Sequence, residues 1–327
     1  MSTAIMTLVQ AVTSALDTKL GDDPAVVVYG EDVGVEGGVF RATEGLQKKY
    51  GEARVFDSPL AESGIIGTAV GMAAAGLRPV VEIQFSGFVF PGFNQLVGHV
   101  ARMHNRSRGK YRMPVVVRMP YGGAIRAIEH HSESMEALFA NTPGLQVVIP
   151  STPYDAKGLL IAAIESDDPV VFMESSRIYR AIKQEVPLGK YTLPIGKAKV
   201  LAEGSDLTVA TYGGNVREVQ KAMVLAKQAG ISVELVDVRS IVPLDRDTLA
   251  KSVQKTGRFL AVTEGPGTCG VGAELVTVVS EDCFLSLAAP PTRLSGFDTV
   301  PPLARAEHFY FHTPERIFYE MKKVVDY

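Results

Sequence analysis

One carboxylate, Glu62, stands at the start of an otherwise apolar stretch that is rich in small residues. Residues 63–75 carry isoleucine, valine, methionine and alanine with glycines between them, a pattern that predicts a closely packed, buried helix. Two interpretations follow. In the first, the Glu62 carboxylate stabilises the helix because it lies at the positive end of the helix dipole, and Ser58 is the N-cap. In the second, Glu62 is a desolvated acid used for proton transfer near neutral pH.

Two adjacent histidines, His130 and His131, form a second candidate site in a polar loop before a predicted helix at residues 134–140. Loops at strand ends often carry catalytic groups. Neighbouring histidines also bind metals, but no H-E-x-x-H pattern or matching Cys/His set accompanies them. An acid–base imidazole and a plain surface histidine are the remaining alternatives.

An aromatic turn follows a predicted strand at residues 80–85. Phe85, Phe88, Phe90 and Phe93 lie within nine residues. They are either ordinary core residues or a stacking wall for a flat cofactor ring.

The segment Gly265 to Gly270 fits G-x-G-x-x-G and lies between a predicted strand and a predicted helix, as a dinucleotide-binding loop does. Pro266 removes an N–H from the loop, and no strand ending in a ribose-binding acid follows about 20 residues later. The sequence therefore favours a tight turn over an NAD site.

Length and composition bound the class of protein. The 327 residues predict two domains, and the formal charge of −3 argues against a dedicated nucleic-acid binder despite the basic cluster at residues 102–112. No apolar run is long enough for a membrane span, and the N-terminus does not read as a signal peptide. Cys269 and Cys283 lack the spacing of a zinc site or disulfide framework. We expect a cytoplasmic protein with reduced cysteines.

Branched-apolar runs alternate with helical patterns along the chain, which predicts an α/β fold with parallel sheets. Strands are expected at residues 25–29, 80–85, 115–119, 147–149 and 170–173, and then at 207–212, 232–237 and 259–263. A polar, proline-bearing stretch separates the two groups. We expect a first domain at residues 1–185, a linker at 186–204 and a second domain at 205–327.

Several long motifs resemble one family over essentially the full chain. They include residues 30–33 (GEDV), 37–41 (GGVFR), 57–62 (DSPLAE), 82–85 (EIQF) and 154–160 (YDAKGLL). The family is the β-subunit of the thiamine diphosphate-dependent decarboxylase component of 2-oxo acid dehydrogenase complexes, of the pyruvate and branched-chain type. The resemblance implies a pyrimidine-binding domain followed by a transketolase-like C-terminal domain.

The resemblance also implies roles for named residues. Glu62 would hydrogen-bond the aminopyrimidine ring of thiamine diphosphate and assist proton removal from the thiazolium carbon, whereas Leu60, Gln84 and Phe88 would line the pyrimidine side. Phe88 stands where branched-chain enzymes often have tyrosine. His131, rather than His130, matches the histidine that transfers protons during acylation of the lipoyl group.

The family's cations and partners are implied as well. An α-subunit in an α₂β₂ heterotetramer would hold the diphosphate through Mg²⁺, because this chain lacks the Gly-Asp-Gly motif for it. A lipoyl acyltransferase core would accept the acyl group. Relatives that dock on such a core often carry an acid in Leu-Glu-Ala-Pro, where this chain has Leu287-Ala288-Ala289-Pro290, so Asp298 and the Tyr327 carboxylate remain as anionic contacts for a basic partner. Some members bind structural K⁺ through main-chain carbonyls. The matching residues here are Met113, Val115, Val116, Ala163, Ser166 and Asp168.

The sequence leaves the 2-oxo acid open between pyruvate and branched-chain substrates, with an acetoin dehydrogenase β-subunit as the alternative. An NAD-dependent oxidoreductase and a non-catalytic scaffold subunit are the hypotheses from other classes.

Overall fold

The computed structural model describes residues 2–327. Helices and strands alternate along most of the chain. The strands are β1 (Thr3–Thr7), β2 (Val26–Gly30), β3 (Val55–Asp57), β4 (Arg78–Glu82), β5 (Val116–Tyr121), β6 (Gln146–Val148), β7 (Val170–Ser175), β8 (Lys183–Pro187), β9 (Lys199–Ala202), β10 (Leu207–Thr211), β11 (Val233–Asp237), β12 (Ser240–Val242), β13 (Phe259–Pro266) and β14 (Thr292–Gly296). The helices are α1 (Leu8–Asp22), α2 (Leu46–Tyr50), α3 (Glu62–Ala74), α4 (Phe90–Gln95), α5 (Met103–Arg106), α6 (Glu136–Ala140), α7 (Pro153–Glu165), α8 (Asn215–Gln228), α9 (Arg246–Thr256), α10 (Val271–Cys283), α11 (Glu307–Tyr310) and α12 (Pro314–Val325).

The first sheet has the strand order β12-β6-β7-β5-β4-β2-β3 and is parallel except for β12. Its strands are apolar on both faces because helices cover both. In β2, Val26 and Val28 face the core beneath α1 and α7, while Val27 and Tyr29 face the core beneath α3. This arrangement confirms the predicted α/β class.

The second sheet has the order β14-β13-β10-β11-β9 and is parallel except for β9. One face packs against α8 and α12 through residues such as Val219 and Ile317. The other face shares a continuous apolar core with the first sheet, to which Ala210 and Phe259 contribute. The structure thus has the two parallel-sheet units that the sequence predicted.

β8 ends at the start of the stretch expected to be a linker, and β9 lies within that stretch. β8 pairs antiparallel with β1, and β9 pairs antiparallel with β11. The charged residues of β8 gave no strand signal, since its pairing depends on the distant N-terminal segment rather than on local propensity. The exact domain limits stay a prediction.

The sequence pattern also predicts a helix at residues 93–104, and the structure differs there. The helix begins as α4 at Phe90, continues as a π-helical segment at Leu96–Val100 and ends in α5. Pro91 lies in the first turn of α4, where its missing N–H would have no intrahelical acceptor. The helix therefore starts earlier than its apolar pattern indicates.

A strand from the second half of the chain, β12, completes the first sheet. β12 pairs with the edge of β6, and the amide of Ile149 donates to the carbonyl of Arg239 at 2.8 Å. Within residues 2–327, no helix has the length and apolarity that crossing a membrane requires.

Candidate active site

The predicted site residues follow neighbouring parallel strands. Glu62 comes after β3, Gln84 after β4 and His131 after β5, and these strands lie on one side of the sheet in the order β5-β4-β2-β3. Because parallel strands end at the same edge, their following loops converge there. The structure thus brings these loops to a common rim.

Glu62 begins α3 and is 8% exposed. Its carboxylate makes no hydrogen bond to any other described residue of the chain. The N-cap is Ala61, with no side-chain cap, and the buried Ser58 hydroxyl has no partner in the described part of the chain. The expectation that Ser58 caps α3 is therefore wrong, because the loop places its hydroxyl elsewhere.

Acids gather beside Glu62. Burial, with the nearby charges of Asp32 and Glu62, raises the pKa of Glu31. Gln84 donates to Asp32 across 3.1 Å (Nε2 to Oδ2), so this amide belongs to the same group of side chains.

Leu60 lies in the loop just before α3 and is 72% exposed. An exposed leucine next to a buried acid gives the rim an apolar surface. A ligand or a second protein would remove this surface from water.

His131 is enclosed by aromatic rings. Its ring centroid lies 4.4 Å from that of Phe85 and 4.9 Å from that of Phe88. Its Nδ1 is buried and has no hydrogen-bond partner among residues 2–327. His130 instead has an exposed side chain, with its Nδ1 at 3.7 Å from Oε2 of Glu133. The two adjacent histidines therefore occupy different environments.

Two glycines permit the close approach of these segments. A Cβ at Gly92 would lie 2.7 Å from the carbonyl oxygen of Glu62, so the start of α4 packs directly on the start of α3. A Cβ at Gly87 would lie 2.3 Å from the carbonyl oxygen of His130. Glycine thus connects the aromatic turn to the segments that carry Glu62 and His131.

The carbonyls matched to a K⁺ site come from the start of β5 and the end of α7, which the structure places side by side. The Met113 amide donates to Asp167 O at 3.2 Å, and the Val170 amide donates to Val115 O at 3.0 Å. Ser166 O accepts from Arg78 at 2.9 Å, and Asp168 O accepts from the Ser166 hydroxyl. Potassium at Met113, Val115, Val116, Ala163, Ser166 and Asp168 stays a prediction.

The Gly265 to Gly270 loop is closed by an acid rather than open to an anion. The Asp298 carboxylate accepts from the Thr268 amide at 2.9 Å and from its hydroxyl at 2.6 Å. These contacts lower the pKa of Asp298 and fix a negative charge where a dinucleotide would place its pyrophosphate. The geometry favours the tight turn.

A cluster of buried charged residues lies beneath the rim, and the sequence patterns did not predict it. Arg118 donates to Glu174 through two nitrogens at 2.7 and 2.9 Å and to Glu82 at 2.8 Å. The Tyr179 hydroxyl also donates to Glu174. Burial raises the pKa of Glu82, although the Arg118 charge opposes it. Single charged residues in otherwise apolar strands were the available signal, since such charges need partners.

Two family models match the chain. Residues 5–181 match the model described as "Transketolase, pyrimidine binding domain", and residues 196–317 match "Transketolase, C-terminal domain".

Curated relatives cover nearly the full length. The chain is 58% identical to "Pyruvate dehydrogenase E1 component subunit beta" of Acholeplasma laidlawii, over 98% of each chain. It is 50% identical to the protein of the same name in Bacillus subtilis, over 99% of this chain and 100% of that one. The protein of that name in Mycoplasma pneumoniae is 50% identical over 94% of each chain.

A solved structure described as "Split gene transketolase, inactive beta4 tetramer" superposes on the chain with a TM-score of 0.78. The match covers 98% of this chain and 99% of that one at 20% identity. At that identity the likeness concerns the fold alone.

Proposed function

The chain belongs to the E1 β-subunit family of thiamine diphosphate-dependent 2-oxo acid dehydrogenases, and on that premise we propose that it decarboxylates pyruvate together with an α-subunit and passes the acyl group to a lipoyl domain. The observation that carries the proposal is Glu62, a buried carboxylate with no hydrogen-bond partner in the described chain, at the rim where loops from neighbouring strands converge.

Pyruvate is the proposed substrate because the relatives with the names given above are all pyruvate dehydrogenase subunits. Branched-chain 2-oxo acids and acetoin are the alternatives. No contact within this chain separates them, since an α-subunit would share the pocket.

The residues at the rim fit the pyrimidine half of thiamine diphosphate. Glu62 offers carboxylate oxygens without competing partners, Gln84 offers an amide, and Leu60 and Phe88 offer apolar surface. When bound, thiamine diphosphate supplies the group that accepts the electron pair released with CO₂. An α-subunit would hold the diphosphate and Mg²⁺.

Within this chain, Glu62 would hold a proton on a carboxyl oxygen and exchange it with the aminopyrimidine ring. The carboxylate has no hydrogen-bond partner in residues 2–327 that would compete with the ring. Burial and the charges of Asp32 and Glu62 raise the pKa of the neighbouring Glu31.

His131 would move a proton during acyl transfer to the lipoyl group. Phe85 and Phe88 fix the orientation of the ring by contact rather than by hydrogen bonds.

The α₂β₂ assembly and an acyltransferase core belong to the same proposal. The relatives are named as subunits of an E1 component, which supports an α partner. The exposed Leu60 beside the site supports a surface that another protein covers.

The test is CO₂ release by this chain co-purified with its α-subunit. Pyruvate, a branched-chain 2-oxo acid and acetoin are each supplied with and without thiamine diphosphate and Mg²⁺, and acetaldehyde is measured for acetoin. We expect cofactor-dependent CO₂ release from pyruvate above all. Cofactor-dependent turnover confined to another substrate would overturn the assignment to pyruvate, and no turnover would favour the scaffold hypothesis.

A further inference from the structure

The loop at residues 122–134 lies between β5 and α6 and carries His131. Its two ends are joined, since the Gly122 amide donates to the carbonyl of Glu133 at 3.0 Å. Between these ends the regular structure is one short 3₁₀ turn at Glu129–His131. A compact loop whose ends lie side by side is an Ω-loop, a kind of segment that often carries function.

Carboxylates accept the hydrogen bonds of the first part of this loop. The amides of Ile125 and Arg126 donate to Glu307 at 3.1 and 3.0 Å. The Gly123 amide donates to Glu264 at 3.0 Å. Glu264 lies in β13 of the second sheet, and Glu307 lies in α11, which follows that sheet in the chain. The second half of the chain therefore holds a loop that belongs to the first sheet.

The backbone conformation of the loop depends on these bonds. Ala124 and Arg126 have positive φ angles of 63° and 61°, which residues other than glycine adopt infrequently. Such a conformation persists where surrounding contacts fix it. The successive amides of Ile125 and Arg126 both reach Oε1 of Glu307, as in the concave anion sites that main-chain amides form. Glu307, which is 6% exposed, occupies that site.

The base of the loop is held by packing as well as by hydrogen bonds. A Cβ at Gly123 would lie 2.0 Å from Cζ of Phe311, so the phenyl ring contacts the main chain of the loop directly. Oε1 of Glu264 accepts from the Ser134 hydroxyl at 3.2 Å in addition to the Gly123 amide. The same carboxylate oxygen therefore holds both ends of the loop.

The place of the His131 ring depends on where this loop lies. The imidazole contacts the rings of Phe85 and Phe88, and its Nδ1 has no hydrogen-bond partner among residues 2–327. Contacts between rings weaken quickly as a gap opens, so they tolerate little movement of the loop. The main chain of the loop, rather than a hydrogen bond to Nδ1, therefore determines where the imidazole lies.

We propose that Glu307 is a positioning residue for His131. By accepting from the amides of Ile125 and Arg126, Glu307 fixes the loop that presents the imidazole. The inference rests on the proposed function, in which His131 moves a proton during acyl transfer to a lipoyl domain. Glu264 assists at the base of the loop.

Acyl transfer from pyruvate to a lipoyl domain, by the chain co-purified with its α-subunit, tests this role. Glu307→Ala should slow the transfer at least about tenfold, because displacement of a proton-transferring group slows a reaction steeply. CO₂ release with an artificial electron acceptor should be largely retained. Glu307→Gln keeps one accepting oxygen, so its transfer rate should lie between those of the parent and Glu307→Ala. Glu315→Ala, at an exposed glutamate of α12, is the matched control and should act as the parent does.

A double-mutant cycle shows whether Glu307 acts through His131. In the His131→Asn background, Glu307→Ala should slow acyl transfer little further, because the group that Glu307 positions is already absent. Losses that multiply would place the effect of Glu307 elsewhere and overturn the proposal. Equal losses of acyl transfer and CO₂ release in Glu307→Ala would also overturn it, since they indicate general damage to the site.

Amide hydrogen exchange of the same complex, followed by mass spectrometry, examines the loop without turnover. Exchange at residues 122–134 should rise at least about tenfold in Glu307→Ala and stay unchanged in Glu315→Ala. Unchanged exchange in Glu307→Ala would overturn the proposal, because Glu307 would then not hold the loop.

The exchange result also separates this inference from the proposed function. A parent that transferred no acyl group would refute that function and the positioning role with it, whereas faster exchange in Glu307→Ala would still show that Glu307 holds the loop. Should Glu307→Ala fail to fold by circular dichroism, Glu307→Gln carries both comparisons.

Discussion

The imidazole of His131 lies edge-on to the phenyl ring of Phe88, at an interplanar angle of 81°. Phe85 covers a second side of the imidazole at an angle of 59°. Contacts of this kind hold a ring in place without engaging its nitrogens. The ring is therefore positioned by apolar contacts rather than by a hydrogen bond to Nδ1.

Replacing His131 should separate two steps of the proposed reaction. His131→Asn is expected to slow acyl transfer to a lipoyl domain by about 10²-fold or more, because it removes the proton-transferring group. CO₂ release with an artificial electron acceptor should be largely retained. His130→Asn is the control, since that side chain is exposed and lies outside the aromatic enclosure. Equal losses in both assays would place His131 in substrate binding instead.

Removal of the Glu62 charge should abolish turnover while the fold is kept. Glu62→Gln preserves the size of the side chain but cannot exchange the proton, so CO₂ release from pyruvate should fall by about 10²–10⁴-fold. Glu52→Gln, at an exposed glutamate of the same domain, should be neutral. Undiminished release by Glu62→Gln would remove this residue from catalysis.

The buried cluster around Arg118 should dominate the stability of the first sheet. Arg118→Met leaves Glu82 and Glu174 buried without their cation, and we expect the free energy of unfolding to fall by about 3–5 kcal/mol. Arg112→Met removes an exposed pair with Asp167 and should cost about 0–1 kcal/mol. Denaturant unfolding of both variants makes the comparison. A similar loss in both would mean that the cluster adds nothing beyond a surface ion pair.

Asp237 should make stability depend on pH. Burial and the neighbouring Asp155 charge raise the pKa of Asp237 from 3.8 to about 7, although Ser151 and Arg239 oppose the shift. Because the folded state holds this proton more tightly than the unfolded state, the contribution is present below about pH 4 and is lost as the pH rises towards 7. Each pKa unit of the shift corresponds to about 1.4 kcal/mol.

Asp237→Asn should therefore gain stability relative to the parent as the pH rises from 5 to 8. Unfolding free energies at these two pH values provide the measurement. Asp247→Asn, at an exposed aspartate of α9, should show no such difference. A parallel pH dependence in the parent and Asp237→Asn would show that Asp237 titrates normally.

The sequence predicts the class of the fold because parallel strands buried on both faces leave a plain signal. Val170 and its neighbours in β7 are an unbroken apolar run, and the structure has a strand there. Short strands that rely on distant partners leave no such signal. β12 has three residues, and only the position of β6 makes them a strand.

The features of the site likewise fall into those that the sequence predicts and those that it does not. The proposed roles of Glu62 and His131 came from motifs in the sequence, and the convergence of their loops follows from the parallel sheet. The Arg118 cluster depends on register, which pairs Glu82 directly with Arg118 across β4 and β5. Ring contacts such as Phe85 with His131 depend on how loops fold back. Local sequence does not encode either arrangement.

The outer strand of the first sheet, β12, comes from chain that matches the C-terminal family model. Two regions of the chain that match separate family models are thus joined by hydrogen bonds within one sheet. A gene divided between these two regions would produce an N-terminal half in which the edge of β6 exposes unpaired amides and carbonyls. Such an exposed edge promotes aggregation. For this reason, the two halves of the chain gain by being translated as one polypeptide.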